Sequence, residues 1–270
     1  MNNKYQSVEV LITTMNKSVD DILKLFSFWN LQTDAIVANQ CNEDSEINLV
    51  YKEHNILLIN SRTRGVSKNR NILLRSLRAD LGVFLDDDCA LVDGYSNKII
   101  KSMNNFHASF GFFNGFNDKN KLINFKKTGL VKRFSKISNI GGPGIVVSKK
   151  NLGCYRFNEM VGTPNKIYCG EDSLFAYGVF KKKEPVLYCD DPVFKVVFDI
   201  NNSSYLKEFD EQFFISKGAI NKVIHPLTFR IYRFLYSFAL KKRTNRSFSF
   251  INKNMKKGQR FVKKGSITYE

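Results

Sequence analysis

The chain has 270 residues, with 42 Lys and Arg against 25 Asp and Glu for a net charge of +17, enough for one large α/β domain with a sizeable core and a short appendage. No stretch reaches the roughly 18–20 apolar residues that cross a bilayer, and the start, MNNKYQSVEV, lacks a basic segment followed by an apolar core, so a cytoplasmic protein is expected. The cysteines Cys41, Cys89, Cys154, Cys169 and Cys189 are odd in number and far apart without a C-x-x-C pair, which argues against a disulfide framework, a zinc site or a dithiol redox centre and for reduced thiols used in packing.

Residues 8–14, VEVLITT, form a β-branched apolar run. Ser18 then caps a pattern in which Val19, Ile22, Leu23, Phe26 and Trp29 recur at helical spacing. Strands at 34–39 and 55–59, a helix at 66–78 and a strand at 81–85 continue the alternation. Strands alternating with helices predict a mostly parallel sheet flanked by helices. A helix from Tyr95 to about Phe106, the Gly- and Phe-rich strand SFGFFNGF and a polar, basic connector over 117–136 follow. The run NIGGPGIVVS at 139–148 reads as a Gly-rich loop entering a strand, and 171–182 as a helix with Asp172 or Ser173 at its cap. Beyond 200 the chain reads as helical and basic. Residues 217–270 hold 14 Lys and Arg against the single acid Glu270, a net +13, which leaves +4 for the rest. That composition change predicts a main domain over 1–216 and a basic helical tail over 217–270, with an anionic partner for the tail.

Three clusters carry chemistry. Asp86-Asp87-Asp88 follows a strand directly, and in an open α/β sheet ligands bind beyond the carboxyl ends of the strands. Three adjacent carboxylates repel one another unless a cation compensates them, and oxygen ligands suit Mg²⁺ or Mn²⁺. A solvated acidic turn is the competing reading of the run by itself. Gly170-Glu171-Asp172 opens a helix, where an acid serves either as a helix-end residue or as a general base. Arg64-Gly65-Val66-Ser67-Lys68-Asn69-Arg70-Asn71 begins the helix that leads into the acidic strand, either as an exposed basic helix end or as a diphosphate cradle of backbone donors and guanidinium groups.

In order and spacing these clusters resemble glycosyltransferase family 2, with its GT-A fold, over residues 8 to about 200. The resemblance implies a mixed, mostly parallel central sheet and transfer of one sugar from a nucleotide-diphosphate sugar, a UDP-sugar favoured, to a glycan or polyprenyl-diphosphate-linked acceptor. It implies donor-binding roles for Thr13, Asn39, Gln40, Arg64, Arg70, Asp86 and Asp87, and a sugar and acceptor pocket at Gly141, Gly142 and Glu171. It further implies Mn²⁺ or Mg²⁺ on Asp86 and Asp88, and Asp172 as catalytic base of an inverting reaction. Relatives often have Pro near position 13 and an acid at the second strand end, where this chain has Thr13 and Asn39. They also often supply a metal-binding His where the run here is Val196-Val197-Phe198-Asp199, so that either Asp199 substitutes or the metal keeps a further water.

In residues 225–243 of the tail, Leu227, Ile231, Phe234 and Phe238 share one helical stripe, with Arg230, Arg233 and Lys241-Lys242-Arg243 available to face headgroups. This predicts a peripheral place on the inner face of the cytoplasmic membrane, alongside the alternative of a helix docked on the main domain. A nucleic-acid-binding protein using the tail is the rival class, but no RNP, zinc-finger or helix-turn-helix signature is present and no nucleic acid is expected. A sugar nucleotidyltransferase or an NAD-linked enzyme would open with a Gly-rich phosphate loop, and LITTMNKS has no Gly.

Overall fold

A computed structural model describes residues 4–124, 126–138, 141–153, 155–197 and 209–263. In chain order it comprises β1 (Val8–Met15), α1 (Val19–Trp29), β2 (Ala35–Gln40), β3 (Ser45–Tyr51), β4 (His54–Ser61), α2 (Val66–Ser76), β5 (Leu81–Asp86), β6 (Cys89–Leu91) and α3 (Tyr95–Asn105). There follow β7 (Phe110–Phe116), β8 (Gly129–Leu130), β9 (Ile145–Ser148), α4 (Glu171–Lys181), β10 (Val186–Val196), α5 (Glu211–Ile224), α6 (Phe229–Thr244) and α7 (Phe248–Lys263). The strands make one mixed sheet in the order β3-β4-β2-β1-β5-β9-β7-β10-β6, with β8 beside β10.

Where the predicted alternation of strand and helix holds, β4, β2, β1 and β5 run parallel, since a parallel neighbour is reached only through a crossover. Register aligns Asn60, Asn39 and Thr14 across β4, β2 and β1, and sets Thr13 beside Asp86 across β1 and β5. The polar ends of four strands therefore form one row along the carboxyl edge of the sheet.

Alternation along each strand feeds two cores. Val10 and Ile12 of β1 and Val83 and Leu85 of β5 pack with Ile22, Phe26 and Trp29 of α1 and with Tyr95, Ile99 and Met103 of α3. Leu11, Ile36 and Phe84 face the other way, onto Leu73, Leu74 and Leu77 beside α2 and Phe175 and Val179 of α4. The described cysteines, Cys41, Cys89, Cys169 and Cys189, are all unpaired, and burial pushes the thiols of Cys89, Cys169 and Cys189 up, away from the reactive thiolate.

Two expectations are corrected. Helix α4 begins at Glu171 behind Gly170, whose φ of 101° is the left-handed conformation that favours glycine, and no side chain caps it. Asp172 and Ser173 thus sit inside the first turn, with the Ser173 hydroxyl donating to the Ser138 carbonyl at 3.0 Å. The composition change at residue 217 falls within α5, which is no linker. Ile215, Ala219, Ile220 and Val223 of α5 share a core with Val161, Ile167, Leu174 and Tyr177. The Tyr168 amide donates to the Ser216 hydroxyl at 3.2 Å.

Helix α7 closes on α5 through glycines. A Cβ on Gly258 would lie 2.0 Å from the Ile215 carbonyl oxygen, and one on Gly218 2.1 Å from that of Met255. Among the described residues no helix is long and apolar enough to cross a membrane. Gly258→Ala is expected to destabilise the protein by roughly 1–3 kcal/mol through overpacking, read as a lower thermal midpoint. Lys253→Ala, on the exposed side of the same helix, should stay within about 0.5 kcal/mol of the parent.

Candidate active site

Strand β5 delivers its three acids to different places. Asp86, the last residue in the ladder, gives one oxygen to Arg70. Asp87 turns inward and accepts the Thr14 hydroxyl at 2.7 Å, while its carbonyl accepts the Trp29 indole at 3.2 Å. Burial raises the Asp87 carboxyl against the lowering effect of that hydroxyl. Asp88 is exposed, and its carbonyl accepts the amide of Val197, just past β10. Partial desolvation of its carboxyl among the neighbouring strand ends and then the charge of Asp86 raise its pKa, and a cation would relieve that repulsion.

One side chain draws the other acids in. From α2, Arg70 donates to Asp172 Oδ1 at 2.5 Å and Glu171 Oε1 at 3.1 Å through Nη1, and to Asp86 Oδ1 at 3.2 Å through Nη2. Its side chain is 4% exposed. Burial alone would lower its pKa, but Asp172, Asp86 and Glu171 outweigh burial and hold the guanidinium charged. Burial is also the largest influence on Asp172. With Glu171 and Asp86 acting in the same direction, it overcomes the attraction of Arg70 and lifts the carboxyl to about 8.

Several residues expected to bind the donor have partners within the protein. Arg70 is closed in by its three carboxylates and by Gly142, where a Cβ would fall 2.2 Å from Nη2, so it is not free to clamp a diphosphate. Nor is the start of α2 an open anion site: the Gly65 amide donates to Gln40 Oε1 at 2.7 Å and the Val66 amide to the Thr163 carbonyl at 3.0 Å. The same bond occupies Gln40. Asn39 is 1% exposed, donates to the Lys17 carbonyl and Asn60 Oδ1, both at 2.8 Å, and accepts the Lys17 amide. These bonds tie it to the β1–α1 loop. Arg64 is exposed and reaches Asn42 Oδ1 at 2.5 Å, away from the acids. Thr13, buried, stands beside Asp86 in the sheet. Asp199 lies outside the described residues.

The loop of Gly141 and Gly142 comes to the same place, since Gly142 abuts the Arg70 guanidinium and the Gly144 amide donates to the Phe84 carbonyl at 3.0 Å. Sequence reading missed the polar residues that brace α2. Ser67 donates to the Val161 carbonyl at 2.6 Å. Asn71 holds Phe157 through both its amide and its carbonyl, and also reaches Glu159. Asn69 donates to the Ala38 carbonyl at 2.7 Å. The structure buries Ser67, Asn69, Arg70 and Asn71 together on α2, which their spacing alone does not reveal.

Among the described residues no three His, Cys, Asp or Glu side chains are grouped to hold a metal by themselves. Asp86 and the exposed Asp88 nevertheless fit the kind of site in which one or two carboxylates share a Mg²⁺-type ion with substrate phosphates. Arg70→Met would leave three carboxylates around an uncharged side chain and is expected to cost roughly 3–5 kcal/mol of stability, measured by denaturant unfolding. Combining it with Asp86→Asn should restore part of that loss; a double variant no more stable than Arg70→Met would show that charge balance is not what Arg70 supplies.

Comparison with known proteins identifies the family and the fold. The sequence profile of Glycosyl transferase family 2 matches residues 10–175, from β1 into α4. No curated protein sequence matches the chain. The crystal structure of S. aureus TarS 1-349 is similar in fold at a TM-score of 0.57 and 14% identity, covering 96% of this chain and 92% of that one. The same TarS fragment in complex with UDP gives a TM-score of 0.58, and in complex with UDP-GlcNAc 0.57, each at 12% identity over 96% and 92% of the two chains. A match over more than half of the sequence, on a GT-A sheet with acids at the carboxyl edge, makes this chain a member of glycosyl transferase family 2, a glycosyltransferase that uses a nucleotide-sugar donor.

Proposed function

We propose that the enzyme transfers one sugar, with inversion, from a UDP-sugar to the hydroxyl of a glycan or polyprenyl-diphosphate-linked saccharide, in a metal-dependent reaction. The observation that carries this reading is the meeting of Asp86, Glu171 and Asp172 on the Arg70 guanidinium, within 2.5–3.2 Å. It brings the acid that ends β5 and the acids that open α4 to one cation.

Asp86 and Asp88 would hold the Mn²⁺ or Mg²⁺, whose chemistry is to offset charge on the departing diphosphate. Asp172 acts as the base. Its carboxylate takes the proton of the acceptor hydroxyl as that oxygen bonds to the anomeric carbon, and the bond from that carbon to the diphosphate oxygen breaks. A carboxyl held near 8 by burial is a much stronger base than an ordinary Asp, and attack from the side opposite the leaving group inverts the centre. Arg70 positions Asp172 and Asp86 without itself touching the donor. Glu171 and the Gly141-Gly142 loop border the sugar, and the row ending in Thr13 borders the nucleoside. The basic C-terminal helices would keep the enzyme against the anionic inner face of the membrane, where a lipid-linked acceptor resides.

The test is nucleoside diphosphate release from a panel of UDP-, GDP- and dTDP-sugars with Mn²⁺ and a lipid-linked acceptor extract. Release from a UDP-sugar should vanish with EDTA and with Asp88→Ala, and fall by about 10²–10⁴-fold in Asp172→Asn. Because only the ionised carboxyl accepts a proton, kcat/KM of the parent should drop as pH falls below about 8, and this acid limb should be absent in Asp172→Asn. Undiminished release in EDTA would remove the metal from the mechanism. An unchanged acid limb in Asp172→Asn would remove Asp172 as the base.

A further inference from the structure

Helices α6 and α7 enclose a cavity of about 460 Å³ lined by Arg230, Arg233, Lys256, Gln259 and Arg260. Among the described residues none of these four cations has a carboxylate partner, whereas Lys257, next along α7, pairs with Glu211 at 2.5 Å. Arg233 lies over the Phe229 ring, and its Nε is buried without an acceptor. Burial and then the neighbouring charge of Arg230 disfavour its charged form. An ordinary solvated basic face spreads its charges into water. Here Arg230, Lys256 and Arg260 are exposed around the half-buried Arg233, all four lining one concavity with the Arg233 Nε buried and unmet, and a bound anion would relieve both the repulsion and the orphaned N–H.

Two features indicate where that anion resides. Leu227, just before α6, and Ile231, Phe234, Leu235 and Phe238 on its outer face are 56–96% exposed, with Arg230 adjoining this stripe in the helix. A stripe of this kind enters the acyl boundary of a membrane and leaves its flanking cations at headgroup depth. The lining also has no aromatic ring on which a nucleic-acid base could stack. The wall from α7 is firmly set, because Gly258, between Lys256 and Arg260, is in backbone contact with α5.

We propose that this cavity binds the headgroup of a membrane lipid bearing clustered phosphate charge, a phosphomonoester or a diphosphate, between Arg230 and Arg233 of α6 and Lys256 and Arg260 of α7. The proposal deepens, and rests on, the membrane attachment inferred above. It adds a specific site where net charge alone would give only attraction.

The test measures binding of the full chain to phosphatidylcholine vesicles doped with phosphatidic acid, or with phosphatidylglycerol at matched surface potential, with the fold of each variant checked by its thermal midpoint. Arg230→Gln/Arg233→Gln, and separately Lys256→Gln/Arg260→Gln, should each lose about tenfold more affinity on phosphatidic acid than on phosphatidylglycerol vesicles. The control Lys241→Gln/Lys242→Gln removes the same charge outside the cavity and should lose the same factor on both. If all three variants lose equally on the two vesicles, the membrane reading stands and the headgroup site is overturned. If the parent ignores vesicles but binds inorganic pyrophosphate through these residues, or binds a single-stranded oligonucleotide through them, the lipid assignment and the membrane reading both fall. Sugar transfer to a soluble acceptor would be untouched in either case.

Discussion

A guanidinium taken out of water must be surrounded by negative charge, and Arg70 is almost wholly buried. The three carboxylates that meet this demand come from two parts of the chain about eighty-five residues apart. The requirement therefore fixes the end of β5 and the start of α4 relative to α2, and with them the loop of Gly142, which must lack a side chain to lie against the cation. Ser67, Asn69 and Asn71 are spaced to hold the same helix to the chain on either side of it. Three acids around one cation leave the site negative, and Asp88 outside the cluster adds to that.

Much of the fold was legible because β1, β2, β4 and β5 are buried on both faces and read as continuous apolar runs, while α1 carries a side-chain cap at Ser18 and an apolar stripe. β3 was missed since its residues alternate between half-buried and exposed, as befits an edge strand, and β6 and β8 are too short to leave a pattern. The site was legible as a set of acids and less so as a set of roles. Asp86 and Asp172 meet through Arg70, a long-range contact that no local spacing encodes. Arg70, Asn39 and Gln40 have the chemistry of ligand-binding side chains, and only their burial and partners identify them as braces. In α2 a polar surface faces inward, so its hydrophobic pattern carries little information about which side is buried.

The basic segment shows the opposite limit. Its charge was plain from composition, and so was the apolar stripe of α6. What composition could not reveal is that charge and packing change at different points of the chain. α5 begins before the basic stretch and is built into the main body, while α6 and α7 carry the surface charge.

The contact between Gly170 and α5 gives that arrangement a further meaning. Ile220 lies so close to Gly170 that a methyl group there would come within 2.7 Å of its side chain, and Gly170 is the residue that turns the chain into Glu171 and Asp172. The turn that opens α4 thus rests on a helix from the C-terminal part of the sequence. A fragment cut where the composition changes would not be an intact domain relieved of a separate tail. It would be a sheet with half of the buttress behind Glu171 and Asp172 removed, and a chimera joined at that seam would inherit the same defect.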